Sequence, residues 1–293
     1  MAPEKEWYQI DNVDDLDTPA LVIYKDRVKK NIDTLIDGID DIDRLRPHVK
    51  THKSQQVCEL MLKAGIKKFK CATIAEAEML AMAGAPDVLL AYQPVGPKAH
   101  RLASIVKKFP STSFSCLIDN LETATFVSEV FAQQNRSITV YIDLNVVMNR
   151  TGITPDSALG LFDNCRQLKG ISIKGLHAYD GHIRAADFAE RKNQCDVAFA
   201  RVVHLKQEIK RLFNTELKII AGGTPTYTIH CKRNEIECSP GTFIYWDKGY
   251  MDTLPEQTFV LAALVVTRVI SKPAPDTICV DLGHKSIASE NPL

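Results

Sequence analysis

The chain has 293 residues, 45% hydrophobic and 25% charged, an ordinary balance for a globular protein with room for one large domain and a smaller one. Its 36 Lys and Arg match its 36 Asp and Glu, so no global charge points to nucleic acid or an anionic membrane as partner. The longest apolar run, Phe259 to Val266, is too short to span a bilayer, and the first residues carry no signal-like apolar core. Eight cysteines occur with no C-x-x-C pair, which predicts small core thiols in a reducing cytoplasm.

An early strand is expected at 17–24, "DTPALVIY", followed by a helix over "KDRVKKNIDTLIDGI". Eight further strand candidates then alternate with helical patterns. They fall at 44–50, 67–74, 87–93, 112–119, 138–145, 171–180, 217–224 and 235–245. "IAEAEMLAMAGA" has helical apolar spacing and a late glycine. "TPDSALGLFDNCRQL" begins with a cap signal, and "ADFAERKNQCDVAFARVVHLKQEIKRLF" is a long amphipathic stretch. Eight such units predict an α/β fold, a (β/α)8 TIM-type barrel, with an open doubly wound sheet as the alternative. Pro47 counts against a regular first strand, because proline lacks a ladder donor. After Tyr245 two more strands follow without a helix between them. They suggest a second, all-β domain built from both chain ends. The expected division is 25–248 for the barrel, with 1–24 and 249–293 forming part of the β domain, whose C-terminal portion is expected to be missing.

Barrel enzymes place their chemistry at the C-terminal ends of the strands. Those ends carry Lys50, Asp143 to Asn145 with Arg150 in "MNRTG", and His177, Tyr179 and His182 in "HAYDGH". They also carry Gly223 and Thr224 in "GGTPT", and Gly241 and Thr242 in "SPGTF". Glycine lets backbone N–H groups approach an anion closely, so the last two loops form a candidate phosphate cradle. Read singly, each is an ordinary turn.

"LRPHVKTHK" is crowded with cations. Strand alternation puts Arg46, His48 and Lys50 on one face and Leu45, Pro47 and Val49 on the other. The apolar face suits the helix layer, so the cationic face is expected to point inward. Burial beside like charge pushes a lysine toward its neutral, nucleophilic form. With a phosphate site opposite, this points to a Schiff base between Lys50 and pyridoxal phosphate. The competing reading is a solvated basic loop. Arg150 also fits a strand-end ion pair and Tyr179 a core tyrosine. His182 fits a loop, Cys231 and Cys238 core packing, and Asp281 and His284 a structural role in the second domain.

"DTPALVIY", "RPHVKTHK", "ATIAEAEML", "DVLLAYQ" and "GGTPTY", in this order, resemble the D-threonine aldolase and D-serine dehydratase family of alanine-racemase-like, fold-type III pyridoxal phosphate enzymes. The resemblance implies Lys50 as the lysine that carries the cofactor and Arg150 beside the cofactor ring and its phenolic oxygen. It implies His177 and Tyr179 lining ring and phosphate, with His48 close by. Gly223, Thr224, Gly241 and Thr242 would hold the phosphate. It also implies a homodimer, a small D-amino acid substrate, and a divalent metal, Mn or Zn, whose ligands lie beyond residue 293. The expected activity is retro-aldol cleavage of a D-3-hydroxy amino acid to glycine and an aldehyde. Dehydratase, racemase and non-catalytic cofactor-binding readings stand as alternatives.

Overall fold

The computed structural model describes residues 6–288. The first five residues and the end of the "ASENPL" tail lie outside the described residues. The chain opens with β1 (Ala20–Ile23), α1 (Lys25–Asp37) and α2 (Gln55–Lys63). Strands and helices then alternate. β2 (Lys68–Cys71), α3 (Ile74–Met82), β3 (Asp87–Leu90), α4 (Pro97–Lys108), β4 (Ser113–Ile118) and α5 (Leu121–Ala132) form the first half. β5 (Ile138–Leu144), α6 (Pro155–Cys165), β6 (Ile171–Ala178), α7 (Phe188–Phe213), β7 (Lys218–Ala221), α8 (Tyr227–His230) and β8 (Ile236–Cys238) form the second. α9 (Lys248–Thr253), β9 (Ala263–Val266), β10 (Val269–Ala274) and β11 (Thr277–Val280) follow. No helix among the described residues is long and apolar enough to cross a membrane.

β2 to β8 form one parallel sheet in sequential order. Its two edges are joined by the segment before α2. Leu45 bridges Cys238 at the end of β8, and His48 bridges Lys70 on β2. The N–H groups of Arg46 and His48 donate to Cys238 and Pro240, and Lys70 N–H donates to the Pro47 carbonyl. The barrel therefore closes with eight positions, and the open sheet is excluded. The expected strand at 44–50 is corrected, however. It is a short extended bridge between two 3-10 turns, Ile42–Arg44 and Val49–Thr51. Pro47 has no N–H to give, and His48 Nδ1 accepts from Lys50 N–H at 3.1 Å, turning the chain off the strand track just before Lys50. The eighth strand is also shorter than expected, since a 3-10 turn, Thr242–Ile244, replaces its second half.

Alternation along the strands sorts the side chains. Phe69, Cys71, Val88, Leu90, Val140 and Ile142 pack outward in the main core shared with the helices. Inside the barrel a small apolar layer of Leu89, Leu117, Tyr141 and Ile220 separates two polar ones. The lower polar layer is centred on Arg46, 1% exposed. Its guanidinium meets Glu237 at 2.7 Å and Asp87 at 2.6 and 3.0 Å, and Lys68 completes Glu237 at 2.7 Å. Burial alone would weaken the Arg46 charge; the hydrogen bond to Asp87 and the charge of Glu237 outweigh it and hold its pKa above the ordinary value. The expectation that Arg46 points inward holds, but it serves the barrel floor and not the mouth.

Caps at the strand ends fix the loops around the mouth. Thr73 accepts from Glu76 N–H at 3.1 Å, and the Glu76 carboxylate reaches back to Ala72 N–H at 2.8 Å. This reciprocal T-x-x-E cap starts α3 directly above β2. The chain ends meet: β1 pairs antiparallel with β9, and β10 with β11. Asp281 ties them, accepting from Thr18 and Thr267 at 2.5 Å and from Arg268 N–H at 3.0 Å.

Arg46→Ala strands two carboxylates in the barrel floor. The expected loss is about 3–5 kcal/mol, the usual consequence of breaking a buried pair on one side. Urea unfolding of both proteins measures it; a loss below about 1 kcal/mol would mean that the layer does not hold the barrel together.

Candidate active site

The C-terminal end of the barrel opens into a cleft of about 710 Å³. Lys50, Tyr179, Gly223, Thr224, Gly241 and Thr242 all line it, as the strand-end placement predicts, with His48 on its wall. Lys50 is corrected in one respect. It stands exposed at the rim on its 3-10 turn, whereas strand alternation put it inside. His48, half-buried, is held neutral by burial first and by the charges of Lys70 and Lys50 next.

The two glycine loops meet. Thr224 Oγ1 accepts from the adjacent N–H groups of Gly241 at 3.1 Å and Thr242 at 3.0 Å. Two consecutive amides converge on one oxygen, in the manner of an anion nest, and that oxygen is here the Thr224 hydroxyl, which an incoming anion would displace. Gly241 is needed for close approach, because a Cβ there would stand 3.1 Å from the His48 carbonyl. Gly222 has φ +76, and a Cβ would lie 2.7 Å from the His230 ring.

Behind these loops lies a second cluster. Thr226 Oγ1 accepts from Gly223 N–H at 3.3 Å and donates to Asp180 at 2.8 Å. His230 Nε2 is 2.9 Å from Asp180, and Arg233 is 2.6 Å from His230 Nδ1. An arginine can only donate, so Nδ1 accepts and Nε2 carries the proton given to Asp180. Asp180, Cys195 and His230 present three ligand-type atoms within 4.8 Å of one another. The proton that Arg233 fixes on Nε2 occupies the atom a metal would need. Burial, with Asp180 second, pushes the Cys195 thiol up to about 12 in the cluster as it stands. As it stands, the cluster is a hydrogen-bonded brace for the loop that carries Gly223 and Thr224.

The inner wall carries a second Asp–His pair. His177 Nδ1 lies 2.7 Å from Asp143, which also accepts from Thr151 at 2.9 Å and Gln93 at 3.0 Å. Burial opposes ionisation of Asp143, but these hydrogen bonds, His177 foremost, win and hold its carboxyl below the usual range. His177 Nε2 faces Lys70 Nζ at 3.3 Å. Above them the Tyr179 ring is approached by three basic side chains: Arg150 at 5.0 Å, Lys70 at 5.5 Å and Lys50 at 5.6 Å from its centroid. Arg150 reaches it because the "MNRTG" loop turns tightly. Gly152 has φ +98, with no room for a Cβ against Asn145 and Leu144.

His182 is exposed on its loop, and Cys231 and Cys238 are packed in the core. Sequence reasoning missed Lys70, the site roles of Asp143, Asp180 and His230, and Ser239. The signal for Lys70 was present: "KKFKC" alternates as "RLRPHVK" does, with Lys68 and Lys70 on the face opposite Phe69 and Cys71. Asp180 and His230 left no periodic signal, because fifty residues separate them.

A family model described as alanine racemase, N-terminal domain, matches residues 23–248. D-threonine aldolase from an Arthrobacter species is 27% identical over 287 residues, covering 94% of this chain and 74% of that protein. The crystal structure of D-threonine aldolase from Filomicrobium marinum superposes with a TM-score of 0.85 at 27% identity, covering 92% of this chain and 74% of the other. D-threo-3-hydroxyaspartate dehydratase from Delftia sp. HT23 gives 0.78 at 25% identity, covering 92% and 72%.

Asp143 ties the inner wall to pH. Its folded pKa is depressed, so its contribution to stability is in place above the unfolded value of about 4 and is lost as pH falls through the folded value. Asp143→Asn is expected to be less stable by about 1–3 kcal/mol at pH 6, with the gap closing on acidification. Urea midpoints at pH 6 and pH 3 read this; equal gaps at both would refute the assignment.

Proposed function

The chain belongs to the family of the alanine racemase N-terminal domain, and from that premise we propose that it is a pyridoxal-phosphate-dependent lyase acting on D-3-hydroxy amino acids. The reaction is retro-aldol cleavage to glycine and an aldehyde, as in the D-threonine aldolases it is similar to. The observation that carries this reading is the pairing of an amide nest with a primary amine across one cleft. Gly241 and Thr242 N–H converge on one oxygen, and Lys50 faces them from the first barrel position.

The residues fit the group in kind. A phosphate suits the nest, an aldehyde suits Lys50, and a phenolic oxygen suits the Arg150 cation. Ser239 Oγ is buried at the cleft wall with no hydrogen-bond partner among the described residues, a donor suited to a polar ring atom. Bound pyridoxal phosphate supplies an electron sink for charge developing at the substrate α-carbon. The chain does the rest. The nest and Arg150 hold anionic groups, Tyr179 and the His177–Asp143 pair bound the ring's space, and Lys50 Nζ holds or moves a proton at the rim.

A dehydratase outcome is the second reading, favoured by the likeness to the Delftia enzyme. It would take the proton from Cα instead of the β-hydroxyl. The divalent metal expected of either is Mn or Zn. A second copy of the chain is the proposed partner, and the cytoplasm, in keeping with eight free cysteines, the proposed compartment.

Incubation with pyridoxal phosphate, borohydride reduction and peptide mapping should place the label on Lys50, and Lys50→Ala should lose both label and turnover. D-threonine and D-serine are assayed with Mn²⁺ or Zn²⁺. Glycine plus aldehyde identifies the aldolase, and a keto acid with ammonia the dehydratase. Bound cofactor without product from either leaves a non-catalytic binder. A label on Lys53, or none, removes Lys50 from its role.

A further inference from the structure

The barrel mouth contains a second amine. Lys70, on β2, is 2% exposed, and its Nζ lies 3.3 Å from His177 Nε2 and 5.5 Å from the centroid of the Tyr179 ring. Lys50 Nζ approaches the same ring at 5.6 Å. His177 Nδ1 is committed to the ionised Asp143, so Nε2 has a lone pair and accepts from Lys70. Charged and titratable groups face Lys70 from every side. Arg46, His48 and Lys50 come from the bridging segment, and Asp143 from β5. His177 ends β6, Tyr179 and Asp180 follow it, and Arg150 extends from the loop after β5.

Two unlike environments therefore hold two amines that both approach the Tyr179 ring. Lys50 stands at the rim in reach of water, where its ammonium form is well solvated. Lys70 sits in the wall, where the charged form loses its water and meets Lys50. Burial first, then the charge of Lys50, bring its pKa down to about 7, with Asp143 and Asp180 pulling the other way. Lys70 is also the foremost charged neighbour depressing both His48 and His177, so its protonation is felt across the inner wall.

We propose that Lys70 is the proton reservoir of this cleft: the two amines hold about one proton between them, which rests on Lys50 at the rim and passes to Lys70 when Lys50 gives up its charge. One proton leaves one nitrogen and one arrives at the other, so the wall keeps its net charge while Lys50 becomes a free amine. Asp143, one histidine away, is placed to stabilise Lys70 once it is charged, with the charge of Asp180 acting from farther off, and His177 Nε2 is the acceptor for its N–H. As a role in the reaction this rests on the reading of Lys50 as the reacting amine. As a coupling between two side chains it stands without it. Lys70 is thereby a positioning residue acting through Lys50 and His177.

The test is an NMR pH titration of the full chain labelled with 13Cε-lysine, without cofactor or substrate, the Lys70 signal being assigned by its loss in Lys70→Met. In the unsubstituted protein the Lys70 signal is expected to titrate near neutral pH, and the Lys50 signal to show a second, smaller inflection at the same pH. Lys50→Met, a change at an exposed rim position, should move the Lys70 midpoint up by about one pH unit or more. Lys50→Arg, which keeps the charge, should leave it where it was. A Lys70 midpoint within a few tenths of that of free lysine, or one indifferent to Lys50→Met, overturns the proposal, and the first of these outcomes needs only the unsubstituted protein. Failure of pyridoxal phosphate to label Lys50 would sink the proposed function and leave this titration unchanged, so the two failures are told apart.

Discussion

A barrel whose inner wall carries cations must find a partner for each of them, and that constraint organises this structure from floor to mouth. Arg46 and Lys70 are buried inside the barrel, and Lys68 lies partly exposed at its floor. Isolated, either of the buried two would make the closed barrel unfavourable by several kcal/mol. The floor meets the demand with carboxylates: Asp87 and Glu237 are both spent on Arg46, and Glu237 also serves Lys68. The four apolar residues above them keep this pairing away from the mouth. In the upper layer, among the described residues, no carboxylate pairs with Lys70 directly. A histidine stands between it and Asp143, and the amine keeps part of its capacity to exchange a proton. The same physical problem thus has a fixed solution below and a titratable one above, and the titratable one lies under the cleft.

The barrel wall is used on both faces where β6 ends. His177 points inward and pairs with Asp143 on the neighbouring strand. Three residues later Asp180 points outward, between the sheet and α7, and pairs with His230. The inner pair bounds the bed on which Tyr179 lies. The outer pair, through Thr226, sets the loop that carries Gly223 and Thr224. One strand end therefore registers the ring side of the cleft against the anion side. In each pair the carboxylate's acceptor-only character fixes the imidazole tautomer, so both rings are oriented without help from a ligand.

What could be read in the residues beforehand follows period and punctuation. The strands from β2 to β7 were legible because apolar runs alternating with amphipathic helices leave a parallel sheet as the economical solution, and the two glycine loops were legible because their turns sit at strand ends. The bridge at 44–50 was only half legible. Its alternation is genuine up to His48, but a side-chain-to-backbone hydrogen bond at His48 starts a 3-10 turn that no apolar period reveals. Lys50 consequently kept its place at the mouth, with Nζ 5.6 Å from the Tyr179 ring, but is exposed in the cleft where alternation had it buried. Lys70 obeys the period that sorted Arg46 and His48, and was overlooked because a lysine in a short strand is ordinarily read as solvent-facing.

The desolvation argument made for Lys50 from sequence belongs, in the folded chain, to its neighbour. An amine at the rim of a wide cleft is open to a bulky partner. An amine in the wall is unloaded by burial but has no open path to a bulky partner. Placing one of each around a single tyrosine ring separates the two requirements, access and a near-neutral proton affinity, onto two side chains linked by charge. Sequence proximity cannot express that division, because the two lysines come from different strand positions and meet only when the His48–Lys70 bridge closes the barrel.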